Sequence, residues 1–335
     1  MDLIIPQGYS SYLDVCQTEI AIKNIKDFFE RRLADKLNLT RVSAPLYVVS
    51  DSGLNDDLNG VERPVVFNIK SLGDRNVEIV HSLAKWKRVA LKRYEFPVGN
   101  GIYTDMNAIR RDEDLDNLHS TYVDQWDWEL IIDKNDRNID TLKKIVNTIF
   151  KVFKDTENYL RKLYPQLQLY LPEEITFISS QELLDLYPDK TPKEREDLIC
   201  KKYKAVFVYQ IGDKLSDGKP HDGRAPDYDD WSLNGDILFW FPVLNCAFEV
   251  TSMGIRVDED SLKSQLEKAN ALDRIDFQYH QEVLNSELPY TIGGGIGQSR
   301  ICMFFLHKAH IGEVQVSIWP EEMAKVCEEN GIKLL

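Results

Sequence analysis

Two arginine-bearing stretches, far apart in the chain, carry the residue types that phosphoryl chemistry needs. One is Arg110-Arg111-Asp112-Glu113-Asp114, running into Tyr122-Val123-Asp124-Gln125-Trp126-Asp127-Trp128-Glu129. The other is Gly293-Gly294-Gly295-Ile296-Gly297-Gln298-Ser299-Arg300, read as a glycine-rich turn feeding an apolar helix. In this order they read as a nucleotide site, with one arginine beside a half-polar strand and the other at a glycine-shaped helix start. Such a pair can hold the triphosphate of ATP in a bent shape while a carboxylate attacks its α-phosphate. The glycine stretch is not a phosphate loop, since no lysine follows its last glycine, and it lacks the Gly-x-Gly-x-x-Gly frame of a dinucleotide fold. Its glycines suit close backbone approach to a flat ligand.

Carboxylates supply the complementary chemistry. On the strand ending at Glu129, Gln125, Asp127 and Glu129 share one face. That face is either solvated or the wall of a pocket that reads a polar substrate. Two tryptophans on the opposite face favour the enclosed reading. Asp236 and Glu249, on two neighbouring strands, suit Mg²⁺ completed by phosphate and water; the alternative is a pair of surface acids. Strict alternation places Glu249 with Thr251 and Ser252 with Arg256, so a shared pocket requires a bulge, expected at Gly254. Arg224-Ala225-Pro226-Asp227-Tyr228-Asp229-Asp230-Trp231 reads as a loop, solvated or closing over a charged ligand. In Lys85-Trp86-Lys87-Arg88, a solvated helix face, a nucleic-acid patch and an inward-pointing lysine all remain open. His307 and His310 lie a turn apart on the last apolar helix without the further ligands zinc needs.

The elements that must position these groups follow from periodicity. Helical spacing runs over 12–37, with Leu13, Ile20, Ile25, Phe28, Phe29 and Leu33 as its apolar residues. A β-rich run at 40–49 contains Pro45, which marks an edge or interface strand. Further strands are expected at 63–70, 77–80, 121–132, 175–178, 205–210, 236–241, 246–257 and 314–319. Helices are expected at 82–94 (capped by Ser82), 138–163, 179–187, 192–203, 259–270 and 273–285. The pattern predicts an α+β chain, an antiparallel sheet flanked by helices, organised as one domain over residues 1–335.

Composition narrows the partners. The 335 residues carry a formal charge of −14, which opposes a surface built to wrap nucleic acid. The five cysteines are scattered with no Cys-x-x-Cys, so a disulfide framework is not expected and a reducing cytoplasm is. No apolar run approaches the ~18–20 residues that span a bilayer, and the first residues lack the features of a secretory signal.

Residues 110–127 resemble motif 2 of the class II aminoacyl-tRNA synthetases, especially the aspartyl branch, and Gly293 to Arg300 resembles their motif 3. The first helix running into the strand with Pro45 is similar to motif 1, which implies a homodimer. Within that superfamily the chain most resembles the ammonia-dependent asparagine synthetases (aspartate–ammonia ligases). The segments that carry this are His81 to Arg88, Lys214 to Gly218, Arg224 to Trp231, Leu233 to Leu238, Ser252 to Val257 and Thr291 to Arg300, in family order over nearly the whole chain. Thr251 stands where serine is expected, keeping the hydroxyl.

The resemblance implies a class II synthetase-like fold and a C–N ligase that joins L-aspartate and ammonia using ATP. The β-carboxylate would attack the α-phosphate to give β-aspartyl-adenylate and pyrophosphate, and ammonia would then displace AMP. By position, Arg110 would bind the α-phosphate, and Arg300 the bent tail and adenine. Asp236 and Glu249 would hold Mg²⁺. Lys87, Gln125 and Arg256 would grip aspartate's carboxylates, with Asp127 near its ammonium and Ser82 in support. Arg224, Asp229, Thr251, Ser252 and Gly295 would serve the nucleotide, Ser120 would support, and Asp56 would take a proton from ammonia.

Overall fold

The strand Tyr122–Ile131 organises the architecture because its two faces differ so sharply. Trp126 and Trp128 are wholly buried on one face, where the Phe29 ring stacks on Trp126 with centroids 5.1 Å apart. That face is roofed by two long helices. Val15–Leu37 starts at a capping box, in which the Asp14 carboxylate accepts from the Gln17 amide and the Gln17 side chain accepts from the Asp14 amide. Its buried stripe is Ala21, Ile25, Phe29, Leu33 and Leu37, an unbroken four-residue repeat. Ile20, expected on that stripe, points outward at 55% exposure, because Ala21 occupies the inward position and lets the helix approach closely. The second helix, Ile139–Leu163, is capped by Asn138 and buries Val146, Phe150 and Phe153.

The computed structural model describes residues 3–56 and 62–335. In chain order the strands are β1 (Leu39–Arg41), β2 (Tyr47–Val49), β3 (Val66–Ile69), β4 (Arg75–Ile79), β5 (Gly101–Ile109), β6 (Tyr122–Ile131), β7 (Thr176–Ser179), β8 (Ala205–Tyr209), β9 (Asp229–Phe241), β10 (Cys246–Arg256) and β11 (Thr291–Gly297). The helices are α1 (Val15–Leu37), α2 (Ala84–Arg93), α3 (Ile139–Leu163), α4 (Ser180–Leu186), α5 (Pro192–Tyr203), α6 (Glu259–Lys268), α7 (Gln278–Leu284), α8 (Gln298–Phe305) and α9 (Glu321–Glu329). The main sheet runs β1-β5-β6-β11-β10-β9-β8-β7, and a small sheet runs β2-β4-β3. Its six inner strands pair antiparallel, as expected, while the outer pairs β1/β5 and β7/β8 are parallel.

Four expectations are corrected. The run 40–49 is not one strand. Pro45 has no amide hydrogen to donate, and the chain leaves β1 in the main sheet to enter β2 in the small one. The glycine stretch is not a turn but β11, paired on both sides with β6 and β10. Strand 314–319 does not form, and Val316 and Ile318 are exposed there. Strand β5, which leads into Arg110, was absent from the sequence reading: its first four residues are all buried, and alternation sets in only beyond Thr104 and ends on an exposed isoleucine, Ile109.

The two histidines also lie elsewhere than expected. α8 ends at Phe305 and His307 adopts φ 55°, so neither is helical. His307 stacks on Tyr170, and His310 accepts from the Gly312 amide at 3.0 Å. Burial lowers both to about 4. An unfolded histidine protonates near pH ~6.5, so between there and about 4 the unfolded chain binds the extra protons. Stability is therefore complete above that range and falls as pH drops through it, by on the order of a few kcal/mol. Urea midpoints should decline across this window; a flat profile would contradict neutral burial of the pair.

Candidate active site

The opposite face of the sheet is polar, and its registers assemble the site rung by rung. Asp127 pairs with Gly295, Gly295 with Ser252, and Ser252 with Asp236, four strands in one row. The next row runs from Glu129 through Gly293 to Gly254. A trench results, because β11 contributes no side chains to either row. A Cβ on Gly293 would collide with Glu129 Oε2 and lie 2.6 Å from Arg256 Nη2, and one on Gly295 would collide with Gln125 Oε1 and lie 2.9 Å from Asp127 Oδ1. Neighbouring strands lay their functional groups across the space those glycines leave.

Over the trench lies a cavity of about 420 Å³, the size of a small-ligand site. It brings together Asp56, Ser82, Lys87, Arg110, Ser120, Gln125, Asp127, Arg224, Asp229, Glu249, Thr251, Ser252, Arg256, Gly295 and Arg300. Of the residues to which the family resemblance gave a role, Asp236 alone does not border it; Arg224 lies over that carboxylate.

One end of the cavity is a buried charge lattice. Arg256 Nε and Nη2 donate to Glu129 Oε1 and Oε2 at 2.9 and 2.7 Å, and its Nη1 donates to Asp229 Oδ1. Three of five guanidinium hydrogens are thus engaged, leaving two for a ligand. Thr291 Oγ1 also donates to Glu129, at 2.7 Å. Burial by itself would push the Glu129 carboxyl up, yet the adjacent Arg256 guanidinium holds it below the usual range. Lys87 Nζ donates to Trp128 O and Gly294 O and forms an ion pair with Asp127 Oδ2, each at 3.1 Å. Asp229, expected at the nucleotide, lines the cavity and also accepts from the arginine of this end. It belongs to β9, which begins inside the segment read as a loop.

The other end carries two further arginines. Arg110 projects from the end of β5, where its amide donates to Thr121 O at 2.8 Å. Its Nε is buried without a hydrogen-bond partner among the described residues, and its Nη1 lies 3.9 Å from the Glu113 carboxylate. Arg300 donates through Nη1 to Glu249 O at 3.0 Å and lies over the Phe248 ring. Thr251 Oγ1 is buried with no partner. Ser82 Oγ accepts from the Ala84 amide at 3.1 Å, and Ser120 Oγ donates to Ser317 Oγ at 2.9 Å.

The bulge that unites Glu249 with this face lies at Val250, not at Gly254. Glu249 pairs with Leu238 and Thr251 with Ile237, so β10 spends two residues against one. A second register shift, between Gly254 and Arg256, falls on the β9 side, where Asn234 and Asp229 are the partners. The first shift keeps Glu249 on the face of Asp236 and Ser252. Burial pushes the Asp236 carboxyl up to about 7, against the pull of Arg224 and with Glu249 adding to the rise.

Sequence reasoning missed two features. It left open which cation of α2 turns inward; in fact Lys85, Lys87 and Arg88 are all buried. Lys85 Nζ, Arg274 Nη1 and His280 Nε2 converge on Asp227 Oδ2 at 3.2, 3.2 and 3.1 Å. Nothing in the local pattern pairs these four residues. It also gave Glu129 no task beyond lining a face, although the strand's alternation had placed it there. Asp56 is buried at the cavity edge, its carbonyl oxygen 3.0 Å from His81 Nδ1 and its charge felt by Lys85 and Tyr228.

Chemically, the arrangement offers a fork for a carboxylate at one end, arginines for a polyphosphate at the other, and hard oxygen donors beside them. Comparison with known proteins agrees with that division. The aspartate–ammonia ligase family description matches residues 16–331. An aspartate–ammonia ligase of Ruminiclostridium cellulolyticum is 66% identical over 99% of both chains, and one of Pediococcus pentosaceus is 58% identical over the full length of both. Among solved structures, Pyrococcus horikoshii asparaginyl-tRNA synthetase with asparaginyl-adenylate superposes with a TM-score of 0.64 at 14% identity, over 90% of this chain and 70% of that one. The Entamoeba histolytica asparaginyl-tRNA synthetase gives 0.61, also at 14% identity, with 90% of this chain matching 66% of that one. At such identity these likenesses concern the fold, an α+β class II synthetase-like sheet with helices.

Proposed function

The chain belongs to the aspartate–ammonia ligase family and makes asparagine from aspartate, ammonia and ATP; from that premise we propose that one cavity performs both half-reactions through a β-aspartyl-adenylate. The observation that carries this reading is the polarity of the cavity, with a carboxylate fork at Arg256 and two further arginines, Arg110 and Arg300, at the far end. Aspartate binds with a carboxylate on the two unused Arg256 hydrogens, Gln125 beside it and its ammonium toward Asp127. Lys87 contributes positive potential from beneath. Asp229 and Glu129 hold the fork still. Chain residues 1–335 act as one catalytic unit.

ATP lies toward Arg110 and Arg300, with its tail folded back. The β-carboxylate oxygen attacks the α-phosphorus, the bond to the β-phosphate oxygen breaks, and pyrophosphate leaves. Arg110 meets the charge that grows on the α-phosphate, in a partly buried setting where such contacts are strong. Arg300 braces the tail and adenine, with Arg224, Thr251, Ser252 and Gly295 around it. Ser82 and Ser120 support the walls.

Asp236 and Glu249 fit a Mg²⁺ ion: they are hard oxygen donors on one face of adjacent strands, and their mutual repulsion is one a dication would relieve. Among the described residues no group of three or more His, Cys, Asp or Glu stands ready for a metal, so phosphate and water would complete the shell. Bound there, the ion would supply charge neutralisation at the polyphosphate.

Ammonia then attacks the anhydride carbonyl, the C–N bond forms, AMP leaves with the former carboxylate oxygen, and Asp56 takes the proton. Asp56→Ala should therefore preserve aspartate-dependent exchange of pyrophosphate into ATP while lowering asparagine formation by about 10²-fold or more. Intact amidation in that variant would remove Asp56 from the mechanism. Absence of any pyrophosphate exchange in the wild type would refute the adenylate itself. We further propose a homodimer through the α1 side, where Ile20 is 55% exposed, and a cytoplasmic setting without nucleic-acid partners. Among the described residues no helix is long and apolar enough to cross a membrane.

A further inference from the structure

Arg224 is in the way of the metal. Its Nη2 donates to Asp236 Oδ1 at 2.7 Å and its Nη1 donates to Ser252 Oγ, so the guanidinium bridges a cross-strand pair of the sheet. The side chain is nine-tenths buried, and its Nε has no hydrogen-bond partner. Asp236 consequently does not border the cavity, while Arg224, Ser252 and Glu249 do. Mg²⁺ binds carboxylate oxygens at about 2.0–2.1 Å in a near-ideal octahedron. A guanidinium nitrogen occupies one approach to Asp236 Oδ1, and its fixed positive charge opposes a dication arriving at either carboxylate oxygen.

We propose that Arg224 is a cationic plug on the Asp236 site, closing it to free divalent metal until a polyphosphate offers the guanidinium another acceptor. The proposal rests on the assignment of Asp236 and Glu249 as the metal-facing carboxylates, and goes beyond it by fixing the order of events. Metal alone meets a site already neutralised by an arginine. A triphosphate entering between Arg110 and Arg300 presents oxygens to the same guanidinium, draws it off Asp236, and brings the ion with it. Metal and nucleotide each raise the other's affinity, because each binds best to the state with Arg224 displaced. Free Mg²⁺ therefore does not accumulate on the enzyme, and the bare carboxylate pair is never left uncompensated. Asp222 and Asp229, which also act electrostatically on Asp236 and Arg224 respectively, remain on either side of the exchange.

The test is titration of the full-length protein with Mn²⁺ in the absence of nucleotide, reading the free-ion signal by electron paramagnetic resonance. Wild type should leave that signal essentially undiminished, whereas Arg224→Met should take up Mn²⁺ at least about tenfold more tightly. Arg224→Met/Asp236→Asn should lose the gained site. Equal affinity of wild type and Arg224→Met, or a gained site that survives the loss of Asp236, overturns the plug. So does wild-type uptake of free Mn²⁺ that Asp236→Asn abolishes, an arm that needs no Arg224 variant to fold. A separate titration with β,γ-methylene ATP isolates the underlying assignment. If Asp236→Asn leaves Mn²⁺ uptake by the nucleotide-bound protein unchanged, the metal assignment fails and the plug with it; if uptake is lost there, only the arms above judge the plug.

Discussion

Arg110→Met should slow aspartate-dependent pyrophosphate exchange by about 10²- to 10³-fold, the range seen when one donor to a developing oxyanion is removed. The structure gives the reason for so large an effect. Arg110 is held in place by the β5–β6 connection, its amide bonded to Thr121 O, while its guanidinium makes only a long ion pair, 3.9 Å, with Glu113. Its buried Nε has no protein acceptor, so that donor can turn to a phosphate oxygen without breaking a protein bond. The methionine variant fills similar space without the charge, so folding should persist and the loss should fall on turnover more than on aspartate KM. A variant exchanging pyrophosphate at the wild-type rate would show that the α-phosphate lies elsewhere.

Glu129→Gln should act on the opposite end, lowering kcat/KM for aspartate by about 10²-fold or more, with aspartate KM carrying much of it. Breaking one partner of a buried ion pair costs about 3–5 kcal/mol. Here the charge left behind belongs to the arginine that must meet the substrate. Glutamine can accept one of the two hydrogen bonds from Arg256, but its amide then points N–H groups at a guanidinium. Asp229 becomes the only acid bonded to Arg256, and the fork tilts toward it. Part of the energy will appear as a lower Tm, since the Glu129 carboxylate also accepts from Thr291 and lies 3.8 Å from Lys87. An unchanged aspartate KM at a lowered Tm would make Glu129 structural only.

Much of the sheet was legible because β6 advertises its two faces: large rings at 126 and 128 against acids at 127 and 129. Helices α3 and α5 were legible to within a residue or two through their caps and spacing. The failures have physical causes. Glycines at 293–295 read as a turn because glycine has no face preference of its own; only pairing with β6 and β10 makes them a strand. The run 314–319 has strand composition but finds no edge to pair with, so it stays irregular. One irregularity was expected, at the glycine of β10; the pairing of β9 and β10 shifts there, between Gly254 and Arg256, and also at Val250, where the shift brings Glu249 to the polar face.

What the amino-acid order determined by itself is the inventory and the faces: which side chains could do chemistry, the family those motifs belong to, and the side of each strand that is polar. What only the tertiary structure decided is who touches whom. Asp229 accepts from Arg256, Lys85 pairs with Asp227 while Lys87 pairs with Asp127, and Arg224 covers Asp236. Periodicity along one strand fixes the direction of a side chain relative to its own backbone. Its distance from a group 20 or 200 residues away depends on register, bulges and missing Cβ atoms in the strands between, which no local pattern encodes.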